Sequence, residues 1–182
     1  MLPFDALVVV DMQPKFYTRG FGVYEKNRQL AHKINKDVRA FKEYGKPVFI
    51  LEYDSYGHTD SKLDTEGCVI LQKRRDGGGY EINNHIYESN YDTISRVLVT
   101  GINACACVRK TAWELHECGF FVSIGKVGCN CHFQDKKSQV ICRLRANTFS
   151  YVADRESFSK RKVKRYIRQQ QANKPFPFRS VR

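Results

Sequence analysis

The chain lacks several things, and each absence excludes a class. No stretch of the 182 residues approaches the ~18 consecutive apolar residues of a membrane helix, so no helical span is expected. The opening stretch, MLPFDALVVVDMQPKF, has no basic segment before its apolar run, and Asp11 interrupts that run; a cleaved leader is not expected. The seven cysteines are odd in number and scattered from Cys68 to Cys142, unlike the disulfide framework of a small secreted fold. A cytoplasmic protein is the expectation. No internal repeat is visible. Acids are scarce at one end: residues 155–182 hold ten Lys and Arg against the single acid Glu156, and so carry +9 of the net +12. The body is close to neutral and long enough to bury one sizeable core.

What is present is an alternation. ALVVVD (6–11), KPVFILEYD (46–54), CVILQK (68–73), RVLVTG (96–101) and FFVSIG (120–125) are short apolar runs, and FSYVAD (149–154) is a sixth. Between the first two, Leu30, Ile34, Val38 and Phe41 recur at helical spacing until Gly45. A second helix is expected over about 106–118, with Val108, Ala112 and Leu115 on one face and Gly119 as its stop. A third is expected over 135–147. Continuous apolar strands alternating with helices indicate an α/β fold: a three-layer α-β-α sandwich around a Rossmann-like, six-stranded, mostly parallel sheet. Residues 55–67 read as a surface loop, and 76–95 give no clear pattern.

In parallel sheets, ligand sites gather beyond the carboxyl ends of the strands. That rule selects Asp11, Asp54, Lys73 and the Cys105/Cys107 pair. Cys107 is expected in the first turn of its helix, where free N–H groups and the helix dipole favour a negative charge and lower a thiol pKa. Cys105 is still in the connection. No histidine stands at a strand end, so the base for a thiol nucleophile is sought in Asp11, with Lys73 beside it to hold it ionised. The three glycines of KRRDGGG lack the Gly-Lys-Ser/Thr ending of a phosphate loop. CAC (105–107) and CNCH (129–132) are an alternative soft-ligand set for zinc, although Cys-x-Cys is tighter than the usual spacer.

Three blocks, VVVDMQPKF (8–16), Lys73 in LQKRRDGGGY, and VTGINACACVRKTAWELHECGFFV (99–122), resemble the signature blocks of the isochorismatase-like, or cysteine hydrolase, superfamily, which includes nicotinamidases and N-carbamoylsarcosine amidohydrolases. The resemblance runs from about residue 6 to 154. It implies Cys107 as nucleophile, Asp11 as general base and acid, and Lys73 as its partner. It also implies a cis peptide at Ile102–Asn103 and an oxyanion hole from the N–H groups of Asn103 and Cys107. The implied reaction is hydrolysis of a small amide or carbamoyl substrate through an acyl thioester. Phe16 and Tyr80 are candidate pocket residues, with Trp113 a third.

Nicotinamidases of this superfamily bind a metal through an Asp and two His near the end of strand two. Asp54 fits the first position, Tyr56 stands at the next, and His58 is nearby at a different spacing. No cofactor is required by the thiol chemistry; a divalent metal on Asp54 and His58 is the alternative. The domain is expected to span 1–154, followed by a basic helix or arm at 155–182. Family resemblance implies a homo-oligomer. The tail at 159–182 is a candidate contact for nucleic acid or an anionic surface, and the alternative function is an idle family member whose tail binds nucleic acid or a protein.

Overall fold

The structure, a computed structural model, describes residues 2–16, 23–91, 93–104 and 106–130. Among the described residues, five strands form one sheet: β1 (Ala6–Val10), β2 (Val48–Tyr53), β3 (Val69–Lys73), β4 (Arg96–Ile102) and β5 (Phe121–Asn130). Their spatial order is β3-β2-β1-β4-β5, and every pairing is parallel. The helix expected at 135–147, the sixth strand at 149–154 and the tail lie outside the described residues.

β1 is central, and all five of its residues are buried. Its alternate side chains enter different layers, as a pleat requires. Ala6, Val8 and Val10 share a core with Ile82 and Ile86 of α2 (Gly79–Glu88) and Val108, Ala112 and Leu115 of α3 (Cys107–Glu117). Leu7 and Val9 point the other way. On that side α1 (Val23–Glu43) buries Leu30, Ile34, Val38 and Phe41. The three layers follow from a strand apolar on both faces.

Two helices stop as their glycines imply. After α1, Gly45 at φ +62° donates its N–H to the Lys42 carbonyl, and Lys46 donates to that of Phe41. After α3, Gly119 donates to His116 and Phe120 to Leu115. Both are the paired bonds of a left-handed C-terminal cap.

Helix α2 was not legible as a helix, and its start explains why. It begins at Gly79, preceded by Gly77 and Gly78. These glycines let the backbone press against α3: the Gly78 N–H donates to Thr111 Oγ1 (3.2 Å) and the Gly79 N–H to Glu114 Oε2 (3.0 Å). A Cβ on Gly79 would lie 2.6 Å from Glu114 Cβ and 2.7 Å from the Leu115 nitrogen. Thr111 and Glu114 are both fully buried, so α3 supplies the cap that α2 lacks in its own sequence.

A polar clamp fixes the amino end of β1. The Asp5 carboxylate accepts hydrogen bonds from the Ser95 and Arg96 N–H groups, from Ser95 Oγ and from the Arg96 guanidinium (2.7 Å). Burial pushes this carboxyl up, but the Arg96 side chain and the two backbone donors outweigh it and lower the pKa to about 2.

Two outcomes are expected from thermal or urea unfolding. Gly79→Ala overpacks the α2–α3 contact and destabilises by about 1–3 kcal/mol. Asp5→Asn destabilises by about 1–2 kcal/mol, allowing for a partly solvated site. Because the folded pKa of Asp5 is depressed, that difference is present above about pH 4 and fades as pH falls toward 2. A pH-independent difference would remove the clamp from the account.

Candidate active site

Parallel register brings the strand ends together. Val10 of β1 lies opposite Leu51 of β2 and Gly101 of β4, and Tyr53 of β2 lies opposite Lys73 of β3. Asp11 follows β1 directly. Its N–H donates to the Leu51 carbonyl (3.0 Å), and its φ of +52° is a left-handed conformation that Asp tolerates better than most residues. Beside it, Gly101 adopts φ +115°, and a Cβ there would overlap the Val10 backbone oxygen. Only glycine lets β4 pass this close to β1 at the point where the chain turns toward Cys107. The Ile102–Asn103 peptide is cis. The Asn103 carbonyl then accepts the N–H groups of Ala106 and Val108 at the start of α3.

Three of the residues selected from the sequence converge here. Lys73 Nζ donates to Asp11 Oδ2 (3.0 Å), with both side chains fully buried. It also donates to the carbonyls of Arg75 (3.0 Å) and Asp76 (3.2 Å), and lies 4.6 Å from the centre of the Tyr53 ring. Burial raises the Asp11 carboxyl, and the neighbouring ammonium opposes this without cancelling it. The other oxygen, Asp11 Oδ1, is buried and has no well-formed hydrogen bond among the described residues. The Cys107 thiol is close enough to interact with Asp11 as a hydrogen-bond donor.

Cys107 opens α3, as the sequence implies, but its thiol is not lowered by that position. Burial comes first, then the charge of Asp11 and the hydrogen bond to it, and together they push the thiol up to about 12. The side chain is only 4% exposed. The lowering expected from the helix terminus is therefore corrected to a rise, because desolvation beside a carboxylate outweighs the helix terminus.

A fourth group was missed. Asp76 Oδ1 lies 4.0 Å from Cys107 Sγ, at the limit of a sulfur hydrogen bond. The stretch 76–95 had no readable pattern, so nothing marked Asp76. Its sequence signal is the run from a strand-end lysine into three glycines.

Phe16 ends a short 3-10 turn, Pro14–Phe16. It stacks on Tyr56 (ring centres 4.8 Å apart, 12° between planes), and both rings meet Tyr53 edge-on. Gln13 holds this wall together: its Oε1 accepts the Tyr53 N–H (2.7 Å), and its Nε2 donates to the carbonyls of Tyr53 and Gly57. Tyr80 is not part of it. The Tyr80 hydroxyl donates to Glu117 (2.8 Å), ten residues along α3 from Cys107, or about 15 Å by helical rise. Trp113 lines a cavity of about 690 Å³ with Arg75, Asp76, Gly77, Ala106, Arg109, Lys110 and Glu114.

The candidate metal ligands do not converge. Asp54 is half exposed, and its carboxylate takes the Ser55 N–H (2.9 Å) and the Arg74 guanidinium (3.2 Å). His58 is almost fully exposed, with Nδ1 3.6 Å from Glu52. Tyr56 is committed to its stack. Among the described residues, no group of three His, Cys, Asp or Glu side chains is placed to hold a metal. The side chains of Cys105, Cys129, Cys131 and His132 lie outside the described set. No described helix is long and apolar enough to cross a membrane.

The comparisons with known proteins meet this geometry. The family model described as "Isochorismatase domain" matches residues 5–157. No curated protein matches the sequence. Among solved structures, the chain is similar to a pyrazinamidase of Pyrococcus horikoshii in complex with zinc (19% identity, TM-score 0.67, 82% of this chain and 98% of that one). It is also similar to an isochorismatase-like hydrolase from Alkaliphilus metalliredigens (18%, TM-score 0.67, 90% and 97%). A third is the nicotinamidase of Staphylococcus aureus (18%, TM-score 0.64, 79% and 94%). At these identities the structures speak for the fold, and the family match covers most of the chain. On that match, the chain belongs to the isochorismatase family.

Proposed function

We propose that the chain is a cysteine hydrolase of a small amide or carbamoyl compound, working through an acyl thioester on Cys107. The observation that carries this reading is the convergence of a thiol on a buried carboxylate whose other oxygen is already held by an ammonium group. The names of two structural neighbours, a pyrazinamidase and a nicotinamidase, support an amide as the substrate class.

Each step is assigned to a residue. Because the thiol is raised to about 12, it does not wait as a thiolate; its proton passes to Asp11 as sulfur attacks the carbonyl carbon. Lys73 keeps Asp11 Oδ2 fixed and leaves Oδ1 to receive that proton. The N–H groups of Asn103 and Cys107 hold the developing oxyanion. Asp11 then protonates the leaving nitrogen as the C–N bond breaks, and water hydrolyses the thioester. The wall of Phe16, Tyr53 and Tyr56 suits a planar acyl group. No step uses a metal, since Asp54 and His58 do not form a ligand set. The hydrolase domain is placed at 1–154 and the tail at 155–182 is left out of the chemistry. A cytoplasmic location is consistent with free thiols at Cys68, Cys107 and Cys118.

The test is turnover on a panel of small amides and carbamoyl compounds. Cys107→Ala is expected to reduce kcat to background, and Asp11→Asn to lower it by about 10²–10⁴-fold. Undiminished turnover in Cys107→Ala would end this reading. Thiol titration gives a second check. Alkylation of Cys107 by iodoacetamide is expected to keep rising through the alkaline range, because the thiol ionises only toward pH 12. Asp11→Asn removes a negative neighbour and is expected to move that rise to lower pH. A plateau near neutral pH in the wild type contradicts the assigned proton position.

A further inference from the structure

Two carboxylates meet the Cys107 sulfur, and the function proposed above uses one. Asp11 is fully buried, and its Oδ1 has no well-formed hydrogen bond among the described residues. Asp76 comes from the turn after β3 and is exposed, with its Oδ1 4.0 Å from the sulfur. Burial comes first in raising both the Asp11 carboxyl and the Cys107 thiol, and the charge of Asp76 adds to it at each.

The turn that carries Asp76 is held at both ends. Lys73 Nζ donates to the carbonyls of Arg75 and Asp76. Beyond it, Gly78 and Gly79 donate to Thr111 and Glu114, on the helix that Cys107 opens. These bonds use the backbone of the turn, not the Asp76 carboxylate. An acyl carbon in position for attack lies about 3–3.5 Å from the sulfur. A nitrogen about 1.3 Å from that carbon is then within hydrogen-bonding reach of Asp76 Oδ1.

A carbonyl carbon carries two substituents, and the two carboxylates divide them. Asp11 serves the nitrogen that leaves. Asp76 is left with the substituent that stays, and an ionised carboxylate can only accept. A carboxamide presents carbon there, whereas a carbamoyl compound presents a second N–H. The urea unit is also planar, which suits the wall of Phe16, Tyr53 and Tyr56.

We propose that Asp76 determines specificity, selecting a carbamoyl substrate, R–NH–CO–NH2, over a carboxamide by accepting the N–H that stays with the acyl group. This rests on the thioester reading above. Sulfur bonds to the carbonyl carbon, the C–NH2 bond breaks, and ammonia leaves with the thiol proton that Asp11 delivers. The enzyme then holds R–NH–CO–S, with its N–H on Asp76. Water hydrolyses this to the carbamic acid and the free thiol, and the carbamic acid loses CO2 to give the amine. A buried acceptor rejects a substrate lacking the matching donor by about 10⁴–10⁵-fold. Asp76 is exposed and water can meet it, so the selection is smaller, about 10–10²-fold.

The test compares two activated esters of matched shape, p-nitrophenyl N-methylcarbamate and p-nitrophenyl propanoate. They differ by N–H against CH2 at the position assigned to Asp76. Both report acylation of Cys107 as p-nitrophenol release above the enzyme-free rate. Asp76→Leu is expected to lower the carbamate-to-propanoate rate ratio by about 10–10²-fold, and Asp76→Asn, which keeps one acceptor oxygen, by less. Both rates are taken on one preparation, so a partial loss of folding cancels in the ratio. A fall of less than about threefold in Asp76→Leu overturns the role of Asp76 and leaves the thioester reading standing. Release that persists in Cys107→Ala, or the absence of Cys107-dependent release from either ester in the wild type, overturns the thioester reading and this proposal with it.

Discussion

The structure depends on one buried ion pair, Lys73 with Asp11. Two charges taken out of water are costly, and a pair of this kind is tolerated only when its remaining hydrogen-bonding capacity is met. Lys73 has three N–H donors, and the structure supplies three acceptors: Asp11 Oδ2 and the carbonyls of Arg75 and Asp76. Meeting that requirement dictates the path of the chain after β3. It turns residues 74–76 back over the ammonium group, delivers Asp76 to the sulfur, and leaves the following backbone no room for side chains against α3. The three glycines are the sequence trace of this constraint. Asp11 is not satisfied in the same way, since Oδ1 is left without a well-formed bond. An unmet buried acceptor is a liability to the fold and an asset to a base.

The position of Cys107 sets two effects against each other, and their sizes decide the outcome. A helix terminus contributes about 0.3–1 kcal/mol to a charge, or ~2 in favourable cases. A rise of the thiol from 9.0 to about 12 corresponds to roughly 4 kcal/mol in the opposite direction. Burial and the nearby carboxylate win. The consequence, on the function proposed above, is chemical: the thiol keeps its proton at rest and gives it up when an electrophile is present. Such a site is protected against adventitious alkylation and oxidation, which act on thiolates.

Much of this was legible in the sequence. Apolar runs ending in Asp11, Lys73 and the Gly101 turn, alternating with helical periodicity, gave the parallel sheet, and the sheet gave the end at which to look. Gly45 and Gly119 marked helix stops that the structure realises as capped ends. What was not legible has a physical reason in each case. Helix α2 carries only Ile82 and Ile86 as buried apolar anchors and starts on glycine, the poorest ordinary helix former, because its cap residues come from α3. No local window contains Thr111 and Glu114. The thiol's protonation state depends on burial and on Asp11, ninety-six residues away, whereas the helix terminus is a local feature. Tyr80 was placed by its aromatic type alone, and type does not say that Glu117 would take its hydroxyl.

The aromatic wall bears on the alternative of a metal at Asp54 and His58. A metal site near the end of β2 needs several donors aimed at one point. Here Asp54 turns toward Ser55 and Arg74, and the position two residues on holds the Tyr56 phenol. Tyr56 lies flat on Phe16, with Lys15 Nζ 5.0 Å from its ring centre. Gln13 fixes Tyr53, and through the edge-on contacts it fixes the other two rings. Stacked rings orient a planar ligand by dispersion and by the charge distribution of their faces, whereas a metal orients it through a coordinated atom. The two solutions place opposite demands on the same backbone: a metal requires open donors held apart, and a stack requires closed contact. Among the described residues, Phe16 and Tyr56 are in contact and Asp54 is paired outward, which is the geometry of the second.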